Sequence, residues 1–204
     1  MPTKIDFKKQ LKHLYNPSSK QVAVVNVPEL NFLMIDGEGD PNTSEAYQDA
    51  IETLFAVSYA LKFAIKRGES GIDFAVMPLE GLWWVEDMTQ FSMEDKDAWK
   101  WTAMIMQPAY VTQQLVEEAV KQVEKKKGLP SLSDIRFEAF HEGTAAQIMY
   151  FGPYSEEALT IDKIHGFIRD QGYRLRGKHH EIYLSDPRRT APHKLKTIIR
   201  QPFE

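Results

Sequence analysis

At 204 residues with 43% hydrophobic content, the chain can bury a core large enough to fold without a disulfide or a structural metal, as one large domain or two small ones. It has no cysteine, which removes thiolate nucleophiles, iron–sulfur clusters and cysteine-type zinc sites together. Its 25 basic and 29 acidic side chains give a formal charge of -4, without the basic excess of a general nucleic-acid binder. No run of about eighteen apolar residues is available to cross a bilayer, and the N-terminal stretch lacks the apolar centre of a secretory signal. A soluble, cytoplasmic protein with no nucleic-acid, membrane or obligate protein partner is therefore expected.

Residues 4–14 set Ile5, Leu11 and Leu14 among lysines, a short basic amphipathic helix that Asn16 and Pro17 end. Residues 21–36 are rich in valine and partly alternating, so they read as a strand, with Pro28 marking an edge or a bulge. Residues 37–43 (GEGDPNT) form a loop, in which Asn42 and Glu45 have capping-box spacing. GEG lacks the remainder of a glycine-rich phosphate pattern and is read as a turn. Residues 44–67 carry Ala50, Ile51, Leu54, Val57, Leu61 and Ile65 on one face of a long helix closed by Gly68. Residues 74–86 and 99–108 are strands joined by the polar segment 87–98. Residues 112–127 are a second helix, and KKKGLP after it is the best candidate for a linker. Residues 135–151 contain strand. Gly152-Pro153-Tyr154-Ser155 turns into a helix over 156–171, and two more strands lie within 173–187 and 193–203.

The order strand, helix, strand, strand thus occurs twice. WKWTAMIMQP at 99–108 and HKLKTIIRQP at 193–202 share lysine, isoleucine, glutamine and proline at one offset. The expected fold is a single α+β domain, a tandem pseudo-twofold repeat of two β-α-β-β units, over about 21–127 and 133–204, with a groove between them. Ligands favour such junctions. Setting LEGLWW beside HEIYLS makes Glu80 the counterpart of Glu181.

Three stretches carry a family resemblance: DGEGDP at 36–41, VMPLEGLWW at 76–84 and GKHHEIYLSDPRRTAPHKLKTIIRQP at 177–202. With them the chain resembles the GyrI-like small-molecule-binding proteins, and LKHLYNPS at 11–18 points to a stand-alone subfamily without a DNA-binding domain. The resemblance implies two units of SHS2 type around a ligand channel. It also implies a buried acidic residue, at Glu181, facing aromatic and cationic ligands. Some stand-alone relatives are similar to cyclopropanoid cyclopropyl hydrolases, which open the strained ring of DNA-alkylating natural products, so detoxifying hydrolysis is implied as well. Inhibition of a topoisomerase would follow from the family's name alone.

In KHHEIYLSDP (178–187) strand alternation places Glu181 with His179 and Tyr183, and His180, Ile182 and Leu184 opposite. Ile182 and Leu184 suit a helix-covered core, which turns Glu181 towards the groove. With only His179 beside Glu181, and no ligand spacing among the other histidines, neither metal nor cofactor is expected. Glu181 would activate or orient water, and Tyr183 or Tyr150 would donate to a developing oxyanion. Trp84 follows Glu80 into the groove by parity, and Trp101, Tyr59, Tyr150, Met77 and His179 complete the expected binding wall. Core packing is the plainer explanation for most of these aromatics. Two classes remain open: a hydrolase of electrophilic aromatic compounds, and a binder in which Glu181 neutralises a cation without chemistry.

Overall fold

The computed structural model describes residues 4–91 and 95–204. The first three residues, and residues 92–94 of the expected polar connection, lie outside the described residues. The strands are β1 (Ala23–Glu38), β2 (Leu79–Trp84), β3 (Lys100–Gln107), β4 (Arg136–Phe151), β5 (His179–Tyr183) and β6 (Lys196–Pro202). The helices are α1 (Phe7–Gln10), α2 (Lys12–Tyr15), α3 (Glu45–Arg67), α4 (Gln113–Lys126) and α5 (Ala158–Asp170). The expected N-terminal helix is thus two short ones. Among the described residues no helix is long and apolar enough to cross a membrane.

The strands form one closed antiparallel barrel in the order β1-β3-β2-β5-β6-β4. Each half of the chain supplies three adjacent strands, and the halves meet twice. β1 runs against β4 from Ala23↔Gln147 to Met34↔Arg136, and β2 runs against β5 from Leu79↔Tyr183 to Trp83↔His179. Closure leaves no exposed sheet edge. Pro28, which has no N–H to offer, falls where the β1–β4 ladder passes from Val27↔Gly143 to Glu29↔His141, before the part of β1 that pairs with β3.

Helix α3 begins at Ser44, whose hydroxyl accepts from the Tyr47 N–H at 3.2 Å, and the Gly68 N–H closes it on the carbonyls of Ala64 and Ile65. Asn42 is therefore not the cap. It is held in the preceding turn, where both its backbone and side-chain nitrogens donate to the Asp40 carboxylate. Helices α3 and α5 both pack on the outside of the barrel. Ser58 of α3 accepts from Gln107 of β3 at 3.1 Å, and Ile161, Ile164 and Ile168 of α5 pack with Ile148 and Ile199.

Register decides which side chains share a face. Glu181 stands beside Gly81 and Ile199, the side on which the helices lie, whereas Ile182 stands beside Glu80 and Ile198, which point into the barrel. The expectation for Ile182 is thus reversed. Its surroundings are the barrel interior, and it is Glu181 that lies on the helix side. The expected correspondence of Glu80 with Glu181 fails for the same reason, since the two carboxylates point to opposite faces. The interior is stoppered by α2, with Leu14 and Tyr15 buried.

Gly37, paired with Trp101 across β1 and β3, is covered by the Trp101 indole, and a Cβ there would be driven into that ring. Gly37→Ala is expected to destabilise the fold by about 1–3 kcal/mol through this overlap. Thermal unfolding followed by circular dichroism checks it, and an unchanged midpoint would show that the indole yields without cost.

Candidate functional site

Between α3 and α5, the outer faces of β2, β3 and β5 carry a closed cluster of aromatic and acidic side chains. Gly81 makes room for it. The indole of Trp83, two residues on, folds back over the missing side chain, so that a Cβ at Gly81 would come within 2.8 Å of Trp83 Nε1. This sets the indole beside Glu181, which pairs with Gly81 across β2 and β5. Trp83 Nε1 donates to the Tyr183 hydroxyl at 3.2 Å, and that hydroxyl donates to Glu181 Oε2 at 2.8 Å. The other carboxylate oxygen meets His179 Nε2 at 3.1 Å. Tyr47 of α3 packs against Trp83 and Trp101 with ring centroids 5.4 and 5.0 Å away, and Tyr154 stands edge-on to Tyr183 at 5.5 Å. Phe91 stacks on Trp99 at 4.9 Å and leans on His179 at 5.8 Å.

The turn that starts α5 brings a second carboxyl, Glu157, into hydrogen-bonding range of Glu181. Glu181 is 4% exposed and Glu157 2%. Burial acts to raise both, but their fates differ. At Glu181 the hydrogen bonds and charge of His179 and the hydrogen bonds of Tyr183 and Glu157 outweigh burial and hold the carboxylate below its usual range. At Glu157 burial, then the charge of Glu181 and the hydrogen bond to it, push the carboxyl up to about 10. Tyr154 is raised to about 12 by burial and by the charge of Glu181. Three buried polar atoms around this cluster, Glu157 Oε2, His179 Nδ1 and Trp101 Nε1, find no hydrogen-bond partner among the described residues. Buried polar groups are nearly always paired, so these three atoms are open to hydrogen bonding by a bound molecule or by water.

Of the residues expected from sequence, Glu181, Tyr183, His179 and Trp101 lie in this cluster. Tyr150 is on the same side of the sheet, two strands from Tyr183, but its hydroxyl donates to the Pro153 carbonyl at 2.9 Å and braces the turn instead. Met77 is a core residue ahead of β2. Three lie elsewhere. Glu80 faces the interior, Trp84 shares its parity and carries the Lys178 ammonium 3.2 Å from its ring centroid, and Tyr59 is 48% exposed between Phe55 and Phe63 on the far side of α3. The Trp84 expectation failed because it was tied to Glu80; its neighbour Trp83 occupies the place. Glu157, Tyr47, Tyr154 and Phe91 were not foreseen. Glu157 was legible only as a helix-start acid after the Gly-Pro turn, a type of residue that ordinarily sits in solvent.

Inside the barrel lies a separate polar network. His180 Nδ1 meets Glu142 at 2.9 Å and Nε2 meets Glu80 at 3.0 Å, and Glu80 also accepts from the Tyr15 hydroxyl at 2.7 Å. Arg200 donates to Glu142 at 3.1 Å, to Gln147 at 3.0 Å and to the Leu14 carbonyl at 2.9 Å. The two adjacent histidines thus serve opposite faces, and among the described residues no three acidic or histidine side chains are grouped to hold a metal ion. An open cavity of about 600 Å³ lies between α1, α2 and the strand ends, lined by Lys8, Lys9, Lys12 and Lys196. None of the orphaned polar atoms belongs to a residue that lines it, and the cluster around Glu181 lies apart from this cavity.

The family model for the GyrI-like small molecule binding domain matches residues 20–203. The crystal structure of an uncharacterised conserved protein from Listeria innocua has a TM-score of 0.91 and 44% identity, covering 98% of this chain and all (100%) of that one. A structure described as a hydrolase from the same organism has a TM-score of 0.88 and 43% identity, covering 99% of this chain and 100% of that one. The EcmrR C-terminal domain, at 13% identity over 90% of this chain and 97% of that one with a TM-score of 0.56, shares the fold alone. No curated protein matches significantly.

Proposed function

The chain belongs to the GyrI-like small-molecule-binding family, and from that premise we propose that the aromatic cluster around Glu181 binds flat hydrophobic compounds and hydrolyses electrophilic ones. The observation that carries this reading is a carboxyl group buried among aromatic rings, with a tyrosine and a histidine donating to it. The hydrolase description of the Listeria structure, 43% identical over nearly the whole chain, lends support at the level of reaction class.

A cyclopropane fused to a conjugated ketone would be opened by water at this site. Glu181 takes a proton from water while the water oxygen forms a bond to the ring methylene. The cyclopropane carbon–carbon bond breaks, its electron pair completes an aromatic ring, and the ketone oxygen takes the resulting negative charge. Protonated Glu181 is a poorer acceptor, so it releases the Tyr183 hydroxyl, which can then donate to that phenolate. The rings close on one another, so a ligand must part them. Its binding should therefore quench or shift the fluorescence of the buried Trp83, Trp99 and Trp101.

The decisive experiment incubates the protein with an excess of a spirocyclopropyl dienone and counts the hydroxylated product. Turnover is expected to pass one equivalent per chain. Product that stops at one equivalent or below would replace the hydrolase reading by the second one, a sequestering binder. That reading is favoured by the second acidic group, Glu157, at the same site.

A further inference from the structure

We propose that Glu157 holds a proton against Glu181 and that an aromatic cation entering the cluster displaces this proton to solvent, so that cation binding releases one proton. The inference rests on the reading of the cluster as the ligand site and adds to it what happens to charge when the site fills.

Two carboxyl groups in contact, both shielded from water, cannot both be ionised unless a cation joins them. The proton belongs to Glu157 on geometry. Glu181 already receives hydrogen bonds from His179 and Tyr183, which suit a carboxylate, while Glu157 Oε2 has no partner among the described residues. Around Glu157 the facing groups are Glu181 and Tyr183 from β5, Tyr150 and Tyr154 on the two sides of the turn, and Lys96 from the segment before β3. Among these only Lys96 favours the ionised form, and it acts at a distance, with its ammonium 5.1 Å from the Trp99 ring centroid. A cation held between the rings would supply the missing positive partner, and Glu157 would then give up its proton. A neutral ligand would leave the proton in place, where it can serve as a hydrogen-bond donor to a carbonyl.

The probe is N-methylacridinium, a flat permanent cation with no proton of its own to lose. Calorimetric titration of the intact protein near neutral pH, in two buffers of different ionisation enthalpy, counts the protons released. Close to one is expected, and the dissociation constant should fall with rising pH by up to about tenfold per pH unit between about pH 6 and pH 8. Glu157→Gln should bind the probe with that proton release and pH slope lost. Binding by the wild-type chain without proton release would overturn the proposal, whether or not the variant folds. So would an undiminished release from a folded Glu157→Gln. Absence of any binding by the wild-type chain is a different result, which would remove the ligand-site reading itself and the proposal with it.

Discussion

Glu181→Gln is expected to slow turnover of an electrophilic aromatic substrate by at least about a hundredfold, the usual contribution of a general base, while the variant still binds the compound. Glutamine has nearly the shape of glutamate, so Trp83, Tyr183 and His179 keep their packing, and its carbonyl can still accept one of the two hydrogen bonds that Glu181 now receives. What it loses is the capacity to take a proton from water. The loss should accordingly fall on kcat, with ligand-induced tryptophan quenching retained. The pH profile provides an independent check. The active form of Glu181 is the carboxylate, held below its ordinary range, so activity should persist as pH falls through the normal glutamate range and disappear only below it. Unchanged turnover in a folded Glu181→Gln would sink the catalytic role.

The sequence carried the element order nearly whole, because the period-two and period-3.6 patterns of these segments are local properties. Alternation also grouped Glu181 correctly with His179 and Tyr183. It could not say which side that group faces. β5 is buried on both faces, since helices cover the outside and α2 fills the inside, so the apolar Ile182 is no marker of the helix side. Glu80 and Trp84 failed for a related reason. Their direction relative to Glu181 depends on pairing across about a hundred residues of chain, Gly81 opposite Glu181, and no local pattern encodes that register. Glu157 was hidden because its burial comes from a tertiary contact. The basic amphipathic pattern at the N-terminus, likewise, gave no hint that carbonyls of His13 and Leu14 would cap Gln147 and Arg200 inside a barrel.

Arg200→Leu is expected to be the most damaging single change to stability, costing about 3–5 kcal/mol and lowering the thermal midpoint by roughly 6–20 °C for a chain of this length. The cost does not measure what the ion pair is worth. It arises because Glu142, Gln147 and the Leu14 carbonyl would each be left buried with a lost donor. The same network makes the stability of the fold depend on pH. Burial acts to lower His180, but the charges and hydrogen bonds of Glu142 and Glu80 prevail and raise it from 6.5 to about 9. A group raised on folding stabilises fully below its unfolded value and loses that contribution as pH rises through the folded one. Burial acts to raise Glu142, yet His180 and Arg200 lower it from 4.5 to about 2, so its contribution is complete above the unfolded value and lost as pH falls through the folded one. Together they give a plateau between 4.5 and 6.5, an alkaline decline between 6.5 and about 9 and an acid decline from 4.5 towards about 2. His180→Gln should be less stable on the plateau and should lack the alkaline decline, because its side chain does not titrate. Melting curves of both proteins across the alkaline window decide the matter: a wild-type midpoint that stays flat there would mean that His180 is not held as a buried cation between Glu80 and Glu142.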